Sequence, residues 1–328
     1  MSKARELAEL GAAYDSGALS NRNIIINGGM EIAQRGTSST SSGYVSLDRF
    51  YVNQSGASTT FSQETNANPS EIGGLQKYAR LNVSSSSDYC HIRQPIEDVT
   101  TVPAGTVTLS FYAKGTAPAG GLYTYGIQNF GSGGSSDVDW TAVLITSTLT
   151  SNWVRYTAQI TVPSLDGKTV GAGSYFLLDI GQHSNSASTA FDLNITGIQL
   201  EVGDRATNFE HRLFGQELAL CQRYYQQIVG VSDQTIIGSG RANGTTVAEV
   251  AVPLAVSLRA SPTLNSLAFA LFGTSGAGAS ATSTPTVRKF TSEGAVLHLG
   301  FTGSGLTNGQ TATVSTSSGS TLTMSSEL

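Results

Sequence analysis

Aromatic side chains beside planar amides, on segments broken by glycine, are the residues of this sequence best suited to chemistry. The stretches GLYTYGIQNF and DVDW carry Tyr123, Tyr125, Gln128, Asn129, Phe130 and Trp140. A flat ring can stack on a pyranose ring, and an amide can satisfy sugar hydroxyls as water leaves. Tyr44 and Tyr51 are weaker members of the same set. The competing reading packs these rings in a core or at a subunit interface. Trp153, which opens a regularly alternating strand, belongs on that reading with the core.

Hydrolysis of a glycosidic bond needs two carboxyl groups across a cleft, one with a displaced pKa. Asp137 and Asp139 lead into Trp140, and Glu97 adjoins Asp98, but neighbouring acids of this kind read as solvated loop charges. No GxSxG elbow occurs, and His91, His183, His211 and His298 stand in separate segments without HxH or HxxxH spacing. The sequence therefore predicts no catalytic residues, no cofactor and a protein that is not an enzyme.

The elements that must position these residues are strands. Of 328 residues only 12% are charged and 37 are glycine, a balance that fits an all-β chain with many tight turns. A length of this order divides more naturally into two cores than one. The net charge of -5, with no block of basic residues, excludes phosphate-backbone binding and so nucleic acid as a partner. No run approaches the roughly 20 apolar residues that span a bilayer, and the N-terminus lacks the apolar stretch of a secretion signal. No membrane insertion and a soluble product are expected. Cys90 and Cys221, far apart and without CxxC spacing, are expected to be buried free thiols.

Val107, Leu109, Phe111 and Ala113 alternate with polar neighbours, as do Val154, Tyr156, Ala158, Ile160 and Val162, and Phe176, Leu178 and Ile180. In Phe191–Val202 the apolar parity changes at Gly197, which predicts a bulge there. The apolar run Ile24 to Ile26 reads as strand also. These strands predict a jelly-roll β-sandwich over residues 22–210. A helix over about 214–226, with Phe214, Leu218, Cys221 and Tyr225 on one stripe, is expected to link it, within 211–229, to a smaller C-terminal β-sandwich over 230–328. Hairpins are expected at Asn243-Gly244 and Asn308-Gly309, and a loop with little to bury from Gly273 to Thr286. Before the sandwich, within residues 1–21, Ser2 to about Gly11 can form a short helix with Ala4, Leu7, Ala8 and Leu10 toward one side, too short to stand without a partner surface.

Three stretches carry a resemblance: NRNIIINGGMEIAQRGTS with LDRF shortly after it, CHIRQPIED, and ITGIQLEVGDRATNFEHRLFGQELALCQRYYQ. In this order they resemble phage tail fibre and related virion proteins whose jelly roll is like that of carbohydrate-binding modules. VPLAVSLRASPTL, Val252 to Leu264, resembles the segment after the tyrosine-rich helix in many such proteins. The resemblance implies an N-terminal segment that docks on other virion tail proteins, here through Ala4, Leu7 and Leu10, and a homotrimer. It also implies contact with a host cell-surface glycan, the C-terminal module projecting as the tip. A head fibre or capsid decoration protein fits the same residues; a polysaccharide-degrading enzyme fits them less well. Jelly rolls of this kind often hold calcium, and Glu31 and Asp192 match positions for ligands, but two side chains do not fill a shell of six to eight oxygens, so no metal is expected.

Overall fold

The computed structural model describes residues 22–56, 58–84, 89–183, 190–230, 235–266, 269–273, 278–281, 284–291, 294–303, 305–316 and 321–328. Ala4, Leu7 and Leu10 lie outside them, as does the short helix expected there. The chain divides into two compact units, the first running to Glu217 and including Leu328, the second Leu218–Glu327.

The first unit is a two-sheet antiparallel jelly roll. Its strands are β1 Ser38–Ser39, β2 Tyr51–Ser55, β3 Thr59–Thr65, β4 Lys77–Val83, β5 Tyr89–Glu97, β6 Gly105–Thr116, β7 Leu122–Asn129, β8 Val138–Thr146, β9 Val154–Val162, β10 Tyr175–Gly181 and β11 Phe191–Val202. They order as β1-β3-β4-β11-β6-β9 in one sheet and β2-β5-β10-β7-β8 in the other. The alternation in the sequence decides which side chains the sheets enclose. Val107, Leu109, Phe111 and Ala113 of β6, Ile160 and Val162 of β9, and Phe176, Leu178 and Ile180 of β10 all lie in one core. In β11 the pairing with β6 slips between Thr196 and Gln199, and Gly197 takes a positive φ of 64°. The slip keeps Ile195 and Ile198 both inward, as the change of parity requires. Val202, beyond the slip, is exposed rather than buried.

Ile24 to Ile26 does not form a strand. It lies extended beside β11, with the Ile24 N–H donating to Leu200 O at 3.0 Å and the Gln94 amide exchanging two 2.8 Å bonds with Ile26. Both cysteines are free and buried.

The helix is shorter than its stripe suggests. α1 spans Phe214–Gln222, and Tyr225 instead begins β12, Tyr225–Val229. Of the stripe within α1 only Cys221 is buried, and Phe214 is exposed. The spacing of four, three and four ran across a helix and into a strand, because Tyr224 closes the helix on Cys221 O and Tyr225 pairs with Ser325. The second unit holds a three-stranded sheet of β12, Thr321–Ser325 and Thr263–Ser266, and a seven-stranded sheet that includes Thr235–Ala242, Val247–Pro253, Val296–Thr302 and Thr311–Thr316. Its core gathers Val250, Val252, Leu297, Leu299, Phe301, Val314 and Met324. Part of the expected loop 273–286 is sheet: Gly278–Ala281 pairs with Phe269–Phe272. A ladder needs only backbone N–H and C=O groups, which every one of these residues supplies.

Candidate functional site

The outward face of the five-stranded sheet brings polar and aromatic side chains into register. Its residues come from strands whose opposite parity fills the core. In β5, Cys90, Ile92 and Ile96 point inward, so Tyr89, His91, Arg93 and Glu97 point outward. The pairings then build three rows. Tyr51, Arg93, Asp179 and Tyr125 form one, across β2, β5, β10 and β7. Asn53, His91, Gly181, Tyr123 and Leu144 form the next. Glu97, Tyr175 and Asn129 form a third.

The rings touch along the face. Tyr89 stacks on His91 with centroids 5.6 Å apart, His91 meets Tyr125 edge-on at 5.2 Å, and His183 meets Tyr125 at 4.9 Å and Tyr123 at 5.5 Å. At the β2 edge Tyr51 meets Tyr44 at 5.2 Å, and the Arg93 guanidinium lies 5.9 Å from the Tyr51 centroid. Half-buried tyrosines in such an array present apolar faces with hydroxyl tips.

Beneath them is a buried polar network. Arg93 Nε and Nη2 donate to the two carboxylate oxygens of Asp179, each at 3.0 Å. Nη2 also lies 2.9 Å from His91 Nε2, and the Asn53 amide nitrogen lies 3.0 Å from that same atom. Arginine and the amide nitrogen can only donate, so His91 Nε2 must accept and the ring is neutral with its proton on Nδ1. That proton faces Tyr125 Oη at 2.5 Å, and the Tyr125 hydroxyl donates to Gln182 O at 3.1 Å. Burial, helped by the neighbouring Arg93 cation, lowers the His91 pKa to about 3. Burial raises the Asp179 carboxyl to about 7 against the pull of Arg93, and raises the Tyr125 hydroxyl as well.

Of the residues expected to bind, Tyr123, Tyr125 and Asn129 lie on this face, half-buried. Gln128 and Trp140 do not. Gln128 is fully buried, and its Nε2 donates to Pro163 O at 3.0 Å. Trp140 is 3% exposed, lies parallel to Phe176 with centroids 5.8 Å apart, and donates Nε1–H to Leu177 O at 3.2 Å. Gly126 makes room for it: a Cβ there would sit 3.0 Å from the indole. Phe130 is likewise core. Trp153, expected inside, is the more exposed tryptophan; it meets Tyr78 edge-on at 5.3 Å, with Lys114 Nζ 4.7 Å from its ring.

Asp137, Asp98 and Asp192 have structural partners, whereas Asp139 is exposed on β8 opposite Ile127. Asp137 accepts from the Asn129 amide at 2.9 and 3.1 Å, and Asp98 accepts from Thr100 N at 2.9 Å. Asp192 is held side-on by Arg80 at 2.8 to 3.2 Å, and Glu31 lines a separate cleft with His211, Arg212 and Glu217, so the two do not share a site. Among the described residues no three His, Cys, Asp or Glu side chains gather as metal ligands. A cavity of about 750 Å³ lies at Arg22, Thr101, Glu201, Asp204 and Thr207, where Arg22 and Thr207 already satisfy Glu201 and no ring is present.

No protein-family model matches the sequence, and no curated protein sequence matches it. Among solved structures the chain is similar to a Bacteroides thetaiotaomicron protein proposed to bind sugar, with 10% identity over 55% of this chain and 99% of that one and a TM-score of 0.38. It is similar to a family 30 carbohydrate-binding module, with 16% identity over 61% and 97% and a TM-score of 0.36. A xylan-binding domain from Paenibacillus barcinonensis gives 13% identity over 56% and 96% and a TM-score of 0.32. What these proteins bind is a property of theirs; the ligand of this chain depends on its own residues.

Proposed function

We propose that the outward face of the five-stranded sheet binds glycan, and that the chain is a structural and binding component of a phage particle rather than an enzyme. The observation that carries the first part is the row of touching rings from Tyr89 through His91, Tyr125 and His183 to Tyr123, with a fixed arginine at its centre. Rings supply stacking faces and Arg93, Asn53 and Asn129 supply hydrogen bonds, the pairing that sugar recognition needs. The three sequence stretches that resemble phage fibre proteins support the second part. On this reading the protein is a tail fibre subunit of the virion, trimeric and anchored by residues 1–21. A head fibre would use the same face.

Affinity electrophoresis of the full chain through gels containing soluble polysaccharides tests the binding. At least one polymer should retard the wild type, and Tyr123→Ala should run closer to its mobility in a plain gel. A wild type that no polymer retards would remove the glycan reading. Weak single sites suffice, because three copies per fibre multiply them. Mass spectrometry and cryo-EM of purified particles test the location: absence from the particle would end the virion reading.

A further inference from the structure

We infer that Arg93 is the specificity-determining anchor of this face, and that it selects a neutral sugar presenting two adjacent hydroxyls over a sugar carrying a carboxylate. The inference rests on the glycan-binding reading and assigns its ligand class.

Three of the five N–H groups of Arg93 are committed. Nε and Nη2 hold Asp179 side-on, and the second Nη2 hydrogen goes to His91 Nε2. The remaining nitrogen, Nη1, has no hydrogen-bond partner among the described residues and is not among the buried unpaired atoms. Since the side chain is 26% exposed, that end is the part which reaches solvent. Two N–H groups therefore face outward from a guanidinium that cannot swivel. Rotation would break both Asp179 bonds and the His91 bond, and His91 is itself fixed by Asn53 and Tyr125. A planar donor pair of this kind meets two oxygen acceptors on neighbouring carbons. The Tyr51 ring beside the guanidinium offers the apolar surface against which a sugar ring can lie.

Charge selects between acceptors. The Arg93 cation is already matched by Asp179, and His91 is neutral because its Nε2 accepts two donors. Farther along the face Glu97 stands opposite Tyr175, and Asp137 holds Asn129. The other arginines nearby are spoken for: Arg49 donates to Pro95 O at 2.6 Å and Arg35 lies 3.7 Å from Asp48. A carboxylate arriving at Nη1 would meet a cation already compensated by Asp179, while hydroxyls would meet two unsatisfied donors. Desolvating an anion without a net positive partner is unfavourable.

The test is a wild-type panel at pH 8 with the full chain, read by affinity electrophoresis. Dextran and galactomannan carry adjacent free hydroxyls. A long linear β-1,3-glucan lacks them along its backbone, since its linkage occupies the oxygen between O2 and O4. Polygalacturonate and alginate carry carboxylates. Retardation by dextran or galactomannan, lost after periodate cleavage and borohydride reduction of the same polymer, is the expected result. Arg93→Lys, which keeps the charge and loses the fork, should weaken it by about tenfold. Asp179→Asn, which removes the matching charge, should gain affinity for polygalacturonate, a change that loss of structure does not produce. Equal or stronger wild-type binding to polygalacturonate, alginate or the β-1,3-glucan would overturn the ligand class while leaving glycan binding intact. Binding to none of the polymers would overturn both.

Discussion

Arg93 and Asp179 stand directly opposite each other on β5 and β10, joined by two parallel bonds of 3.0 Å, on the face of the sheet that looks away from the core. A side-on pair in this position adds little net stability. Well-packed apolar residues would serve stability as well, whereas removing one partner would strand the other.

The first prediction concerns pH. Asp179 has its carboxyl raised from 3.8 to about 7, so its contribution to stability is full below 3.8 and is lost as pH rises through about 7. His91 is lowered from 6.5 to about 3, so its contribution is full above 6.5 and is lost as pH falls through about 3. Between 3.8 and 6.5 the two oppose: the folded chain holds a proton on Asp179 and the unfolded chain holds one on His91. Their joint slope there is close to zero. In Asp179→Asn the His91 slope stands alone, and stability should fall by about 1.4 kcal/mol per pH unit on acidification, relative to wild type. Urea denaturation at a series of pH values checks this, and parallel profiles for the two proteins would refute it.

The second prediction separates the tryptophans. Trp140→Ala empties a core position and loses the bond to Leu177 O, which should cost about 3–5 kcal/mol. Trp153→Ala loses an edge contact with Tyr78 and a cation contact with Lys114, which should cost about 1 kcal/mol. Fluorescence gives an independent check. Iodide should quench the Trp140→Phe protein, whose remaining indole is Trp153, far more than the Trp153→Phe protein.

The third prediction ranks two glycines. A Cβ at Gly126 would lie 1.9 Å from Leu177 O, a backbone atom held in the sheet, so Gly126→Ala should cost about 3 kcal/mol or more. At Gly197 the φ of 64° is unfavourable to alanine, but the nearest atom is the Leu75 Cδ1 at 2.9 Å, which can move. Gly197→Ala should cost about 1–2 kcal/mol. Thermal melts of the two variants should fall in that order.

The strands with unbroken alternation were legible in the sequence because one face of each meets apolar neighbours and the other does not. Ala158 to Val162 is the plainest case, although Val154 at the start of the same strand is exposed, and the parity change at Gly197 was as clear. The parity of β7 was not legible. Thr124 and Gln128 are polar yet face the core, and Tyr123 and Tyr125 face outward, so polarity and burial do not correlate along GLYTYGIQNF. Trp140 sits inside because Gly126 on the adjacent strand leaves it space, a relation that no spacing along the chain expresses. Half of the site comes from β5 and β10, which meet only through the order of strands in the sheet. One signal was available: in CHIRQPIED the apolar Cys90 and Ile92 alternate with His91 and Arg93, which already sets the latter two on one face.

The position of β11 bears on how the protein is made. It is the last strand of its unit to leave the ribosome, yet it lies between β4 and β6 in the middle of its sheet. Until Val202 emerges, the nascent chain holds two half-sheets whose facing edges are unpaired, a template for pairing with neighbouring chains. Arg93 waits in the same way for Asp179. Fast translation between β6 and β11, or a chaperone that covers those edges, should therefore govern the yield of correctly assembled protein more than the stability of the finished fold does.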